Sequence, residues 1–164
     1  MSYENPAQPA PPVPTPAADA VPLWAPLYGA SFGAAVKRFF SKYADFSGRA
    51  SRSEFWWAYL FFVIVNAVIQ IIGLVFGGSA ANIDSSGNVS FGAGFWVSTV
   101  ISLIWFVATV VPWLALVWRR LHDANFAGPF YFLVLIPFVG AILVFIFTLL
   151  PSNPEGARFD RPRA

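Results

Sequence analysis

Three stretches of this sequence carry no charged side chain at all: Phe55–Phe76, Phe95–Trp118 and Phe130–Leu150. A helix rises about 1.5 Å per residue, so each stretch is long enough to cross about 30 Å of hydrocarbon. In lipid every backbone N–H and C=O must be satisfied within the protein, so spans of this kind fold as helices. The expected fold class is therefore an all-α membrane protein with three transmembrane helices. Only 11% of the chain is charged, against about a quarter in soluble domains, so little material remains for a soluble core.

The flanks divide the chain further. Residues 1–30 read as a disordered Pro/Ala-rich tail, typified by Pro9-Ala10-Pro11-Pro12-Val13-Pro14, which offers too little apolar surface to offset its ordering entropy. It lacks the basic start and unbroken apolar run of a signal peptide. Residues 31–151 form the membrane domain, with spans about 55–76, 95–118 and 130–150. Residues 152–164 form a short polar tail.

Between the first tail and the first span, Phe32, Val36, Phe39, Phe40 and Tyr43 recur at helical spacing, with Lys37, Arg38, Ser41 and Lys42 mostly between them. This predicts a basic amphipathic helix over Ser31–Tyr43, lying at the membrane interface or against the end of the bundle. Ser51-Arg52-Ser53-Glu54 fits a capping box. Phe55, Trp56, Trp57 and Tyr59 follow and suit the headgroup belt.

Inside the spans, Asn66 and Gln70 are four residues apart and share a helix face with Gly73. Amides are costly in hydrocarbon unless bonded, so this face is expected to look inward and make interhelical hydrogen bonds. Ser98 and Ser102 allow close helix approach in the second span, and Pro112 predicts a kink there. Pro137 and Gly140 interrupt the third. The loop Gly77–Gly94 is polar, with Asp84 its only charge and a small hairpin expected around Gly87-Asn88.

Lys and Arg favour cytoplasmic loops. Five precede the first span and Arg119-Arg120 follow the second, whereas the loop between has none. The N-terminus is therefore expected in the cytoplasm, and three crossings place the C-terminus outside. Arg158, Arg161 and Arg163 conflict with that placement. A re-entrant third segment, bending at Pro137 to Gly140, is the alternative.

Two segments carry a resemblance. Phe46-Ser47-Gly48-Arg49-Ala50-Ser51-Arg52-Ser53-Glu54-Phe55-Trp56-Trp57 and Arg119-Arg120-Leu121-His122-Asp123, in this order, resemble the two motifs of domain of unknown function 805, a family of small bacterial inner-membrane proteins. The likeness runs from roughly Phe39 to Asp160. It implies a multi-pass inner-membrane location and a few helices, and no reaction. Ala127-Gly128-Pro129 stands where that family usually has Ser-Gly-Trp. Gly156-Ala157-Arg158-Phe159-Asp160 lacks its usual Asn and Gly around an aromatic, so no role is assigned to the tail.

Arg49, Arg52, Arg119, Arg120 and His122 all fall at the expected cytoplasmic interface. Guanidiniums bind phosphate bidentately, and a helix start offers free amides to an anion. These five residues are the candidates for binding anionic lipid headgroups, against the plainer possibility that they only fix orientation, with Glu54 and Asp123 as partners. No catalytic residue is assigned: His122 and Asp123 are adjacent, so their side chains diverge, and no nucleophile lies nearby. A single histidine and no cysteine leave no metal site, and no cofactor motif appears. The chain is expected to be non-enzymatic, with the bilayer, anionic phospholipids and a membrane partner or second copy as its associates, and no nucleic acid. A small oligomeric transporter or channel subunit is the alternative, with the Asn66/Gln70 face lining its path.

Overall fold

The computed structural model describes residues 21–76 and 81–160. Most of the Pro/Ala-rich tail, together with Arg161 and Arg163, lies outside the described residues. The elements in chain order are α1 (Phe32–Ser41), α2 (Arg52–Val75), β1 (Ala81–Ile83), β2 (Val89–Phe91), α3 (Ala93–Asp123), a 3-10 helix (Gly128–Leu135), α4 (Val139–Leu149) and a second 3-10 helix (Pro154–Phe159).

Among the described residues two helices are long and apolar enough to cross a membrane: α2 with 24 residues and α3 with 31. The capping box that opens α2 is formed in full, with Ser51 Oγ accepting from Glu54 N and Glu54 returning to Ser51 N. The two helices run antiparallel. Their seam is close at one end, where Gly73 sits against Ser98, leaving no room for a Cβ. Aromatic packing replaces small residues further along, with Phe62 meeting Trp105 and Trp113 at ring separations of 5.2 and 4.8 Å. The loop between them holds the expected hairpin, β1 pairing antiparallel with β2 and Ile83 facing Val89 in register. Asp84 closes its turn by accepting from the amides of Ser86 and Asn88, and Gly87 takes φ +84°. Pro112 lies within α3, which is nonetheless one continuous helix.

The third apolar stretch forms no single helix long enough to cross a membrane. It folds back on itself as a 3-10 helix and the 11-residue α4, joined at Ile136–Pro137–Phe138. At about 1.5 Å per residue α4 reaches only about 16 Å, roughly half of the hydrocarbon core. The fold-back is tight: a Cβ on Gly140 would lie 1.7 Å from the Leu133 carbonyl oxygen, and Phe138 at the tip has φ +63°. Both ends of the hairpin lie at one end of α3. Phe126, before it, stacks on Phe147, near its finish, at 4.4 Å. The third of the three expected transmembrane helices is therefore not one continuous helix: it is a 3-10 segment and a short α-helix folded against each other. Apolar content measures length but not continuity, and Pro137 has no N–H to continue a helix.

The C-terminal segment consequently packs on the end of the pair formed by the start of α2 and the finish of α3. Asn153 N donates to Asp123 O at 2.7 Å and Gly48 N to Phe159 O at 2.9 Å. The described segments before α2 and after α4 thus gather at one end of the helix pair, whereas three full crossings would separate them.

Residues 21–30, which the sequence places in the disordered tail, are structured. Leu27 and Ala30 are buried with Ala35 of α1, and Leu27 N donates to Glu54 Oε2. The helix α1 lays Phe39 on Phe62 and Phe40 on Phe61 of α2.

Asn66 and Gln70 are not inward. Both are exposed, and among the described residues the Asn66 amide donates only to its own helix, at Phe62 O, 2.8 Å. With two long helices packed together the seam is one stripe wide. Ile69 and Gly73 occupy it, and the two amides fall on its flank.

Candidate functional site: the charged end of the helix pair

The first turn of α2 and the last turn of α3 gather charged side chains from across the chain, and six of them, Arg38, Lys42, Glu54, Arg119, Arg120 and Asp123, are buried. Glu54 is 3% exposed. Its Oε2 accepts from Leu27 N and Ser51 N, and its Oε1 faces Arg38 Nη1 at 3.5 Å and Lys42 Nζ at 3.8 Å. The amphipathic spacing of α1 creates this cluster, since Arg38 and Lys42 are one helical turn apart. Arg38 also donates to the carbonyls of Val21, Pro22 and Ala25, tying residues 21–25 to α1. Burial pushes the Lys42 ammonium down to about 8, with Glu54 opposing that shift and Arg119 adding to it.

Arg119 and Arg120 point to different segments. Arg119 Nη1 donates to Lys42 O at 3.0 Å and Asp45 O at 2.6 Å, holding the linker after α1. Arg120 pairs with Asp123 at 2.6 Å and donates to Thr148 O and Leu150 O, holding the finish of α4. Asp123, fully buried, also accepts from Ser152 Oγ at 2.5 Å and Tyr28 OH at 3.3 Å. One acid thus joins α3, the C-terminal segment and the N-terminal lead. A buried pair of this kind is stable only when its remaining donors and lone pairs are also satisfied, and these carbonyls and hydroxyls satisfy them.

The candidate residues separate accordingly. Arg49 forks onto Asp160, with contacts of 2.8–3.2 Å, and that hydrogen bonding holds its guanidinium above its ordinary range. His122 Nδ1 lies 3.0 Å from Gly48 O. A carbonyl only accepts, so Nδ1 carries the proton and donates. Its ring stacks on Phe159 at 4.1 Å and 5°. Arg119 and Arg120 are 2% and 0% exposed, so neither presents an open fork to a headgroup. Arg52 alone of the five is exposed. It lies one and two turns from Trp56 and Tyr59 on the same face of α2, by its spacing.

Several residues that build this end have no obvious mark in the sequence. Asp160 and Phe159 lie in the tail, where the sequence pattern supports no role, yet they meet Arg49 and His122. Gly156 is required there, because a Cβ would lie 2.3 Å from His122 O. The i, i+4 spacing of Arg38 and Lys42 against the box residue Glu54 is the one legible signal.

Comparison with known proteins agrees with the two motifs. A family model described as protein of unknown function (DUF805) matches residues 43–161. The chain is 33% identical over 117 residues to the inner membrane protein YhaI of Escherichia coli (strain K12), covering 71% of this chain and 84% of that relative. It is 29% identical over 117 residues to the inner membrane protein YhaH of the same strain, covering 71% and 85%. No solved structure matches. With its two apolar helices, its two charged motifs and a family match over most of its length, this chain is a membrane protein that belongs to the family of unknown function DUF805.

Proposed function

We propose that this chain is a non-enzymatic inner-membrane protein whose basic end faces the cytoplasm and recognises anionic phospholipid headgroups through Arg52. The observation that carries the reading is the division among the cations. Arg38, Lys42, Arg49, Arg119 and Arg120 are engaged inside the protein, whereas Arg52 stands exposed on the first turn of α2, with no hydrogen bond or ion pair among the described residues. Its neighbours in the chain, Trp56 and Tyr59, are rings of the kind that sit at headgroup level. The orientation follows from the charge rule: the re-entrant hairpin brings Arg158 to the same end as every other described Lys and Arg, and the loop at the far end carries only Asp84. The α1 helix, with Lys37 exposed, lies along that face as an interfacial helix.

Native mass spectrometry of the protein extracted gently from its membrane tests the reading. Retained anionic phospholipid that is lost on Arg52→Ala supports it, and unchanged retention in that variant removes it.

A small oligomeric channel or transporter subunit is the second reading. Exposed Asn66 and Gln70 on an apolar span favour it, because amides facing lipid call for partners from another helix. Flux across liposomes that disappears on Gln70→Leu would select it.

A further inference from the structure

Between α2, α3 and the re-entrant hairpin lies a lateral cleft of about 240 Å³. Trp56 and Tyr59 of α2 form one wall, Trp113 of α3 the floor, and Tyr131, Ala141 and Phe145 of the hairpin the other wall. Trp56 and Phe145 meet edge to face at 6.0 Å, bridging α2 and α4. No charged side chain lines the cleft.

We infer that this cleft is the acyl-chain site of an anionic glycerophospholipid from the surrounding bilayer, with the lipid's phosphate on Arg52. The inference rests on the headgroup reading above and adds where the rest of the molecule goes. Three relationships carry it. Arg52, Trp56 and Tyr59 follow at spacings of four and three on one stripe of α2, so at about 1.5 Å per residue the guanidinium's helical position lies about 6 Å before the first ring and about 10 Å before the second. Arg52 opens α2 beside the finish of α3, where Ala50 N donates to Arg119 O at 3.0 Å. Arg120 is bonded to Thr148 O and Leu150 O at the finish of α4, so the free charge and the mouth of the cleft share one end. Finally, Thr148 and Ala141 mark the two ends of the α4 wall, about 10 Å apart along the helix, after which the hairpin turns. A chain seated there has its upper methylenes between rings and its remainder free in the bilayer core.

Charge at the mouth and aromatic surface below make a two-point site. The charge selects the anionic class, since an arginine near a membrane surface gains about 1 kcal/mol from an anionic lipid, or about fivefold in occupancy. The apolar walls select a glycerolipid over a free phosphate, which has nothing to place against Tyr59, Trp113 and Tyr131.

The test compares lipids retained by the full chain and four variants in native mass spectrometry. Ala141→Trp fills the cleft from α4 and Val134→Trp fills it from the 3-10 segment, so misfolding of one variant is separated from filling. Ile142→Trp adds the same bulk at an exposed neighbouring position of α4 that does not line the cleft. Arg52→Ala removes the charge. Both filling variants should lose the phospholipid, Ile142→Trp should keep it, and Arg52→Ala should lower the anionic share about fivefold. Retention in both filling variants with loss on Arg52→Ala would overturn the cleft and leave the headgroup reading intact. Loss in the filling variants with no change of lipid class on Arg52→Ala would overturn the headgroup reading and, with it, the anionic occupant proposed here. Displacement of the lipid by inorganic phosphate, with phosphate bound in its place, would equally overturn the acyl-chain site.

Discussion

The Tyr43 hydroxyl donates to the Ala108 carbonyl at 3.0 Å, and Ala108 stands four residues before Pro112 in α3. Proline has no N–H, so that carbonyl lacks its intrahelical donor. Tyr43 supplies one from the linker after α1. This satisfies the carbonyl that the proline leaves open, and it couples the position of α1 to the middle of a long apolar helix. Tyr43→Phe should therefore lower stability by about 1 kcal/mol, and by much less in a Pro112→Ala background, where the helix supplies its own donor. Unfolding in mixed micelles reads both. Equal losses in the two backgrounds would show that the bond does not serve the proline.

Removing one partner of a buried pair costs more than removing both. Arg120 and Asp123 are fully buried, and Asp123 also holds Ser152 and Tyr28. Asp123→Ala should destabilise by about 3–5 kcal/mol, because the guanidinium is left among carbonyls without a counter-charge. Arg120→Met with Asp123→Leu should recover a large part of that loss. Simple addition of the two single losses in the double variant would contradict the pair as the unit.

Lys42 sets a pH dependence with a definite sign. Its folded value of about 8 lies below the ordinary 10.5. Between those values the unfolded chain still holds a proton that the folded chain has released, so stability rises with pH through that window. Below about pH 8 both states are protonated, and Lys42 contributes no slope. Burial, and then the charge of Asp123, hold Tyr28 above its ordinary 10.0, which works in the opposite direction only at higher pH. The Tm in detergent should climb from pH 8 to 9.5. Lys42→Met should abolish the climb and be no less stable than the parent at pH 7, since Glu54 keeps Arg38 and two backbone donors. A climb that persists in Lys42→Met would assign it to another group.

Parts of this architecture are legible in the amino-acid sequence alone. The two long apolar helices follow from uncharged length, the start of α2 from Ser51 and Glu54, and the β-hairpin from Gly87-Asn88. The partners of the arginines are not. Arg49 meets Asp160 and Arg119 meets Asp45 through contacts 111 and 74 positions apart, and no local pattern encodes such distances. The third stretch misleads for a different reason. Hydropathy sums side chains, whereas crossing depends on an unbroken hydrogen-bond ladder, and Pro137 with Gly140 breaks it. Asn66 and Gln70 share a face as their spacing requires, but whether a face is inside depends on how many helices surround it.

The re-entrant hairpin makes a prediction about sidedness that three crossings cannot share. The chain has no cysteine, so single cysteines report without background. Ser41, Ser86 and Ala157 are all exposed, at α1, the outer hairpin and the second 3-10 helix. In intact cells an impermeant maleimide should label Ser86→Cys and leave Ser41→Cys and Ala157→Cys untouched until lysis. Labelling of Ala157→Cys together with Ser86→Cys would restore a third crossing. It would also detach Asp160 from Arg49 and Phe159 from His122, because partners 2.8 Å and 4.1 Å apart cannot sit across a bilayer. Gly140→Ala sharpens the same test. A Cβ there meets the Leu133 carbonyl at 1.7 Å, so the fold-back must open, and protection of Ala157→Cys should weaken in that background while Ser41→Cys stays protected.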